Sequence, residues 1–452
     1  MKSINPYNNK LIKEYPEHSL NEVKNILQEV DTEWQRWKNT SFSERSYLMK
    51  NVAKILRNES EYYAKLITSE MGKIIRESKA EIEKCAWLCD YYADNAEKIL
   101  QDEHIPTDAQ KSFVTFEPLG TVFAIMPWNF PFWQVLRFCI PTLMAGNTAV
   151  LKHSSNVPGC ALAIEDIFVK AGFQANVFRS LMISAEFVES VISNNYIKAV
   201  TITGGLKAGS KVASQAGKYL KKSVLELGGS DPYIVLNDAE INKSCATGTS
   251  SRMLNAGQVC ISAKRFIVGE GIADEFTKQQ KNILENMIIG DPMKENTQMG
   301  PLAQKNLLDT LDTQIQQSIK MGAELITGGK RINSEGFFFQ PTLLTDVKKG
   351  MPVVDEETFG PLSVIIRVKN TEEALKIANN TMYGLGASIW TKDIKKGEEI
   401  ARKIEAGAVF VNGMTKSDPR LPFGGIKKSG YGRELSSYGI KEFLNIKTIW
   451  IG

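Results

Sequence analysis

Histidine is scarce in this chain of 452 residues, which has only His18, His104 and His153. So few, so far apart, argue against a histidine general base and against a zinc centre. Cysteine is sparse too, at positions 85, 89, 139, 160, 245 and 260, with no Cys-x-x-Cys pair and no metal-ligand spacing. No metal is therefore expected, and the pattern is that of a reduced, cytoplasmic chain. Long uncharged apolar runs are missing, and the first residues, MKSINPYNNK, lack the apolar core of a signal peptide. Neither membrane insertion nor secretion is expected. An excess of one charge is missing as well. Lys and Arg number 55 against 51 Asp and Glu, a net charge of +4. Nucleic acid is not the expected partner, and pairs such as Lys221-Lys222 and Lys427-Lys428 read as solvated surface. No Gly-x-Gly-x-x-Gly follows a strand-like run, and there is no phosphate loop, internal repeat or low-complexity stretch.

What is present is a long alternation of elements. The chain exceeds one hydrophobic core, so two or three domains are expected. Helical periodicity covers about 20–40, 43–69 and 74–99, with Gly72 as a break. Strand-like runs then alternate with helical ones: SFVTFEPLG, GTVFAIMPW, NTAVLK, IKAVTITG, SVLELGG and PYIVLN, with helices at 158–171, 184–193, 205–217 and 239–255. From about Ser230 the pattern repeats through KRFIVG, FFQPTLL, LSVIIRV, ASIWT and AVFVNG, with helices near 273–288, 302–321, 372–380 and 394–405. The expected fold is α/β, two parallel-sheet units wrapped by helices. The apolar tail FLNIKTIWIG reads as an edge strand, paired either with another subunit or within its own chain.

Three short segments carry chemistry. Cys260 lies in AGQVCISA, a small, polar setting that gives a nucleophile access, whereas the other five cysteines read as core. A thiolate adds to an aldehyde and leaves a hydrolysable thioester after oxidation. Glu226 ends the apolar run SVLEL, where desolvation raises its basicity, making it the candidate general base for the deacylating water. Asn129, after TVFAIM, is the candidate oxyanion donor, with the Cys260 N–H as a second one. Alone, Cys260 is an ordinary small buried residue and Glu226 an ordinary salt-bridged strand end. Together they point to covalent aldehyde oxidation. For a cofactor diphosphate, VTITGGLKAGS places Gly204 and Gly205 between a strand and a helix start.

PWNFP, ELGGSDP, GQVC, EETFGP and PFGGIKKSGYGRE occur in this order over nearly the whole chain. The sequence thereby resembles the aldehyde dehydrogenase superfamily. The resemblance implies Cys260 as nucleophile, Glu226 as base and Asn129 as oxyanion amide. It implies an NAD or NADP cofactor held by Trp128, Lys152, Ser155, Gly204, Gly205, Glu357 and Phe359. It further implies a cofactor-binding domain of residues 1–105 and 121–228, a catalytic domain of 229–428, and a β oligomerisation arm of 106–120 and 429–452, in a homodimer or homotetramer.

Two departures refine this. LKHSS puts Ser155 where NAD-preferring members often carry a glutamate, which removes repulsion toward a 2′-phosphate. His153 beside it is either a helper or surface. ELGGSDP and the chain length resemble the short bacterial succinate-semialdehyde dehydrogenases. Arg137, the only charge between Val122 and Gly146, sits one helical turn from Gln134. It fits a substrate carboxylate, the alternative being an internal ion pair. Ser417 and Arg420 are further candidates for that carboxylate. The expected reaction is oxidation of succinate semialdehyde to succinate. The alternatives are a small neutral or aromatic aldehyde, a relative that passes the acyl group to coenzyme A, and a non-catalytic relative. A lowered thiol pKa at Cys260 is also expected.

Overall fold

A computed structural model describes residues 1–452. The chain opens with an antiparallel hairpin, β1 (Lys2–Asn5) and β2 (Lys10–Glu14), followed by helices α1 (Leu20–Trp37), α2 (Phe42–Asn58), α3 (Ser60–Met71) and α4 (Ile75–Ile99). Ser19 starts α1 with a capping box: its hydroxyl accepts the Glu22 N–H, and the Glu22 carboxylate accepts the Ser19 N–H. Gly72 ends α3 in the left-handed region, φ 81°. The single helix expected over 43–69 is two, because Glu59 leaves helical geometry at φ −105°, ψ 19°. The hairpin was not legible, since every residue of β2 is exposed and no buried alternation marks it.

Next come β3 (Glu103–His104), β4 (Lys111–Pro118), β5 (Thr121–Met126), α5 (Trp133–Met144), β6 (Thr148–His153), α6 (Pro158–Lys170), β7 (Phe178–Ser180), α7 (Val188–Ser193), β8 (Ile197–Thr203), α8 (Leu206–Lys218) and β9 (Lys222–Glu226). The second half holds β10 (Pro232–Val235), α9 (Ile241–Met253), β11 (Arg265–Gly269), α10 (Glu270–Glu285), α11 (Lys305–Lys320), β12 (Glu324–Thr327), β13 (Thr342–Thr345), α12 (Pro352–Asp355), β14 (Leu362–Val368), α13 (Thr371–Asn379), β15 (Gly386–Trp390), α14 (Ile394–Ala401) and β16 (Ala408–Val411). The chain ends with β17 (Gly430–Tyr431), α15 (Ser436–Ile440) and β18 (Leu444–Ile451).

Two large sheets result. One has the order β17-β9-β8-β5-β6-β7, parallel except for β17; the other is β12-β13-β14-β11-β10-β15-β16, parallel except for β12. Both faces of each sheet are covered, so strands such as β6, β10, β11 and β15 are buried at every residue rather than at alternate ones. In β5, Val122, Ala124 and Met126 pack toward α2, α4 and α5, while Phe123 packs toward α1 and α8. In the second sheet Tyr233 and Phe266 face one apolar cluster and Ile234 and Ile267 the other. This is the expected pair of Rossmann-type units.

A third, antiparallel sheet of order β18-β4-β3 pairs the two segments expected to make the arm. The tail strand pairs with its own chain from Leu444↔Pro118 to Ile451↔Lys111. Its other edge is free, and Ile446 and Trp450 are exposed there. The boundaries differ from those expected. Glu103–His104 joins the arm sheet, and Gly430–Tyr431 pairs with β9 beside Glu226, in the first sheet. Sheet hydrogen bonding is set by backbone register, which motif spacing does not report. No helix is long and apolar enough to cross a membrane.

One buried side chain joins α9 to the loops that carry the site. The Arg252 guanidinium donates to the carbonyls of Leu362, Gly257 (3.2 Å), Thr358 (3.1 Å) and Gly360 (2.5 Å), and to Ser262 Oγ at 2.7 Å. Burial pulls its pKa down to about 9, so it stays charged at neutral pH. Lysine carries the same charge but lacks the planar fork. Arg252→Lys should therefore destabilise the protein by about 3 kcal/mol or more, because buried carbonyls lose their donors. Urea denaturation checks this; an unchanged midpoint would contradict it.

Candidate active site

The loop between α9 and β11 carries Cys260. Three consecutive residues before it are left-handed: Asn255 (φ 51°), Ala256 (φ 52°) and Gly257 (φ 75°). Two of them are not glycine, so roughly 1–2 kcal/mol of strain per residue is held there. The loop is over-determined by partners. The Asn255 N–H donates to Glu77 Oε2 at 2.9 Å, and Gln258 bridges the Asn255 carbonyl and the Ala303 N–H, each at 2.9 Å. Gly257 has no substitute, because a Cβ there would lie 2.1 Å from the Gly360 carbonyl oxygen.

Two cavities meet at this loop, and Cys260 and Gln134 line both. One, of about 270 Å³, is also lined by Trp128, Asn129, Gly204, Gly205, Glu226, Glu357 and Phe359. The other, of about 220 Å³, is lined by Lys84, Trp133, Arg137, Ser417 and Phe423 among others. Cys260 is half-buried, and the other five cysteines are buried.

The first cavity fits a dinucleotide end. Gly205 is the N-cap of α8 with no side-chain cap, and a Cβ on it would meet nothing within 4 Å. Free first-turn N–H groups beside open space suit a diphosphate. Glu357 Oε1 accepts the Gly229 N–H at 3.1 Å and faces Lys264 Nζ at 3.2 Å. Gly228 makes room for that carboxylate, since a Cβ would lie 2.1 Å from Oε2. Trp128 and Phe359 meet edge to face, 5.8 Å between centroids. Lys152 and Ser155 do not line this cavity. Lys152 is buried, its Nζ 3.3 Å from the His153 carbonyl, and Ser155 is exposed just beyond β6. His153 is not surface: its ring nitrogens lie 3.1 Å from the Met126 carbonyl and 2.9 Å from the Pro131 carbonyl, and burial pulls its pKa to about 4.

Glu226 lies at the end of β9, buried, with no hydrogen-bond partner on either carboxylate oxygen. Burial raises its pKa well above the usual carboxylate range, the neighbouring Glu434 raises it further, and Arg137 opposes both. Asn129 donates through Nδ2 to the Gln258 carbonyl at 3.0 Å, which fixes the amide and leaves its second N–H.

The substrate-side expectations need correction. Arg137 is buried in an ion pair with Glu434 and stacks on Phe423, 4.4 Å from the ring centroid, so the internal-pair alternative holds. It still lines the cavity. Arg420 does not line it: the side chain is 67% exposed, bonded to Asp418 at 2.9 and 2.7 Å. A short spacing in sequence put it near the cavity, but its local carboxylate holds it outside. Gln134 and Ser417 line the cavity as expected.

Two lysines escaped the sequence reading. Lys264 Nζ donates to the Gly229 and Cys260 carbonyls, each at 2.7 Å. Lys84 belongs to a stripe on α4, with Glu77, Ala80 and Glu81, that lines the second cavity. Charges at that spacing read as a solvated helix face, although the apolar run after Lys84 was a usable signal.

The lowered thiol pKa is overturned. Desolvation pushes Cys260 up to about 11, with Lys264 and Arg137 only partly opposing it. Iodoacetamide should thus label the resting thiol slowly at neutral pH. The rate should climb about tenfold per pH unit toward about 11. Mass spectrometry of the Cys260 peptide checks this, and a rate already flat at neutral pH would contradict it.

Comparisons with known proteins agree with this geometry. The sequence model described as "Aldehyde dehydrogenase family" matches residues 1–449. A Synechocystis sp. protein named "Probable succinate-semialdehyde dehydrogenase", NADP(+), is 46% identical over 449 residues, 99% of each chain. The Escherichia coli (strain K12) protein named succinate semialdehyde dehydrogenase, NAD(P)+, is 42% identical over 448 residues, 99% of this chain and 97% of that one. The crystal structure of succinic semialdehyde dehydrogenase from Streptococcus pyogenes in complex with NADP+ superimposes with a TM-score of 0.98 at 36% identity, covering 100% of this chain and 99% of that one. This chain belongs to the aldehyde dehydrogenase family.

Proposed function

We propose that this protein oxidises succinate semialdehyde to succinate with NADP or NAD, in the cytoplasm. The observation that carries the reading is the meeting of two cavities at Cys260, with the unpartnered Glu226 carboxylate in one of them. The substrate is supported by the names of the relatives and by the cations of the 220 Å³ cavity, whose size suits a short aldehyde.

In the proposed mechanism Cys260 loses its proton to Glu226 and its sulfur bonds to the aldehyde carbon. The resulting oxyanion lies against the Asn129 amide. The nicotinamide, when bound beside Glu357 and Phe359, supplies the hydride acceptor. Glu226 gives up the cysteine proton to solvent, and the thioester left on Cys260 is then attacked by water whose proton goes to the re-ionised Glu226. The carbon–sulfur bond breaks, and the carboxylate product leaves as the thiol regains its proton. Lys264 keeps the Cys260 carbonyl and the Glu357 carboxylate in place. A free base in the cavity favours water over coenzyme A as acyl acceptor.

Glu226 works as a base only when ionised. Its raised pKa means turnover should still rise with pH where an ordinary carboxylate is fully ionised. The test is reduced-nicotinamide formation from succinate semialdehyde, with NADP and NAD compared, across pH. Wild type should turn over with such a rise, Cys260→Ala should be inactive, and Glu226→Gln should lose steady-state turnover, with acylation slowed as well because Cys260 loses its proton acceptor. No turnover of this aldehyde would end the substrate reading, and multiple turnover by Glu226→Gln would end the base assignment.

We further propose a homodimer or homotetramer joined through the free edge of β18, supported by the exposed Ile446 and Trp450. Sedimentation should give a dimer or tetramer, and Trp450→Glu should shift it to smaller species. A monomeric wild type would contradict this.

A further inference from the structure

We propose that Lys84, on α4, is the residue that selects an aldehyde bearing a distal carboxylate. This rests on the substrate reading above. Arg137 meets the same cavity, but its charge is offset by Glu434 and its guanidinium is stacked on Phe423. Lys84 has no carboxylate partner. Its Nζ donates to Ser417 Oγ at 2.8 Å and lies 4.1 Å from the centroid of the Trp133 ring. An ammonium held by one hydroxyl and an aromatic face in a mostly apolar cavity retains N–H donors and lacks a counter-ion, and such a group is costly until an anion arrives. Ser417 already accepts from Lys84, so its own O–H is free to donate to the same carboxylate.

The carboxylates around Lys84 are committed elsewhere. Glu81, one turn earlier on α4, is ion-paired with Lys73 and accepts the N–H groups of Phe132 and Trp133, each at 2.9 Å. Asp418, after Ser417, is bonded to Arg420. Glu77 accepts the Asn255 N–H. Lys416 lines the cavity and adds positive charge, as does Arg137 on α5. Lys416 is exposed and Arg137 is ion-paired with Glu434, although its Nη2 lacks a hydrogen-bond partner, so Lys84 is the partly buried cation of this cavity that has no carboxylate partner. Burial, then Arg137, pulls its pKa to about 8. It is cationic at neutral pH and loses its charge as pH rises through that value, and a bound carboxylate would oppose the loss.

The test compares kcat/KM for succinate semialdehyde and for butanal, a neutral aldehyde of equal carbon count, in wild type, Lys84→Met and Lys84→Arg. The ratio of the two substrates cancels changes in Cys260 and Glu226. Lys84→Met should lower the acid-to-neutral ratio roughly 10- to 100-fold, the range for a hydrogen bond to a charged group, and Lys84→Arg should restore most of it. In wild type the ratio should fall as pH rises through about 8, whereas in Lys84→Arg it should not. Thermal melts of both variants guard against misfolding, and removing a half-buried charge that has no counter-ion should not lower the melting temperature. If wild type prefers the acid aldehyde and Lys84→Met keeps that preference, the Lys84 assignment is overturned and the substrate reading stands. If wild type shows no preference for the acid aldehyde, the substrate reading falls and the assignment falls with it.

Discussion

The guanidinium of Arg252 is the constraint on which the site geometry depends. It gathers carbonyls from the loop before Cys260 and from the loop that carries Glu357 and Phe359. Those loops belong to different crossings of the second sheet and would otherwise present unpaired backbone to each other. With Arg252 between them they approach so closely that only glycine fits at position 257. The left-handed run Asn255–Gly257 costs free energy locally. It persists because Arg252, Glu77 and Gln258 hold both ends, and the result is a cysteine raised to the junction of two cavities.

Buried charge follows one logic through the first domain. Carboxylates go under where backbone N–H groups or cations await them. Glu70 accepts the N–H groups of Gly159 and Cys160, each at 2.9 Å, at the start of α6. Glu81 does the same at the start of α5 while paired with Lys73. Glu226 is the exception, with no partner on either oxygen. A carboxylate left unsatisfied in a cavity is a poor structural element and a good proton acceptor. Its neighbour Glu434 is paired with Arg137, which occupies the arginine; the Glu434 carboxylate adds to the basicity of Glu226 and Arg137 opposes it.

The two cavities divide the work by their walls. Glycines, a helix start and the carboxylates of Glu226 and Glu357 line one side of Cys260; aromatic rings, apolar groups, three cations and the committed carboxylates of Glu77 and Glu81 line the other. Gln134 touches both because α5 follows the loop of Trp128 and Asn129 and turns its first residues back toward Cys260.

The alternation of strands and helices, the two sheets and the choice of Cys260, Glu226 and Asn129, which line one cavity, were legible in the sequence. Each depends on local patterns: apolar runs, glycine breaks, and a thiol in a small polar setting. Lys84 and Lys264 were not legible, because a charge at helical or strand spacing reads as solvated until the surface opposite it is known. Nor were the occupation of Arg137 by Glu434, the exile of Arg420 to the surface, or the raised pKa of Cys260. Glu434 lies about 300 residues from Arg137 in the chain, and desolvation is a property of the closed cavity. The amino-acid sequence by itself determined which chemical groups the molecule owns and on which elements they ride. Which of them stand free, paired or desolvated was decided only when distant segments packed, because charge balance and burial are set by neighbours in space.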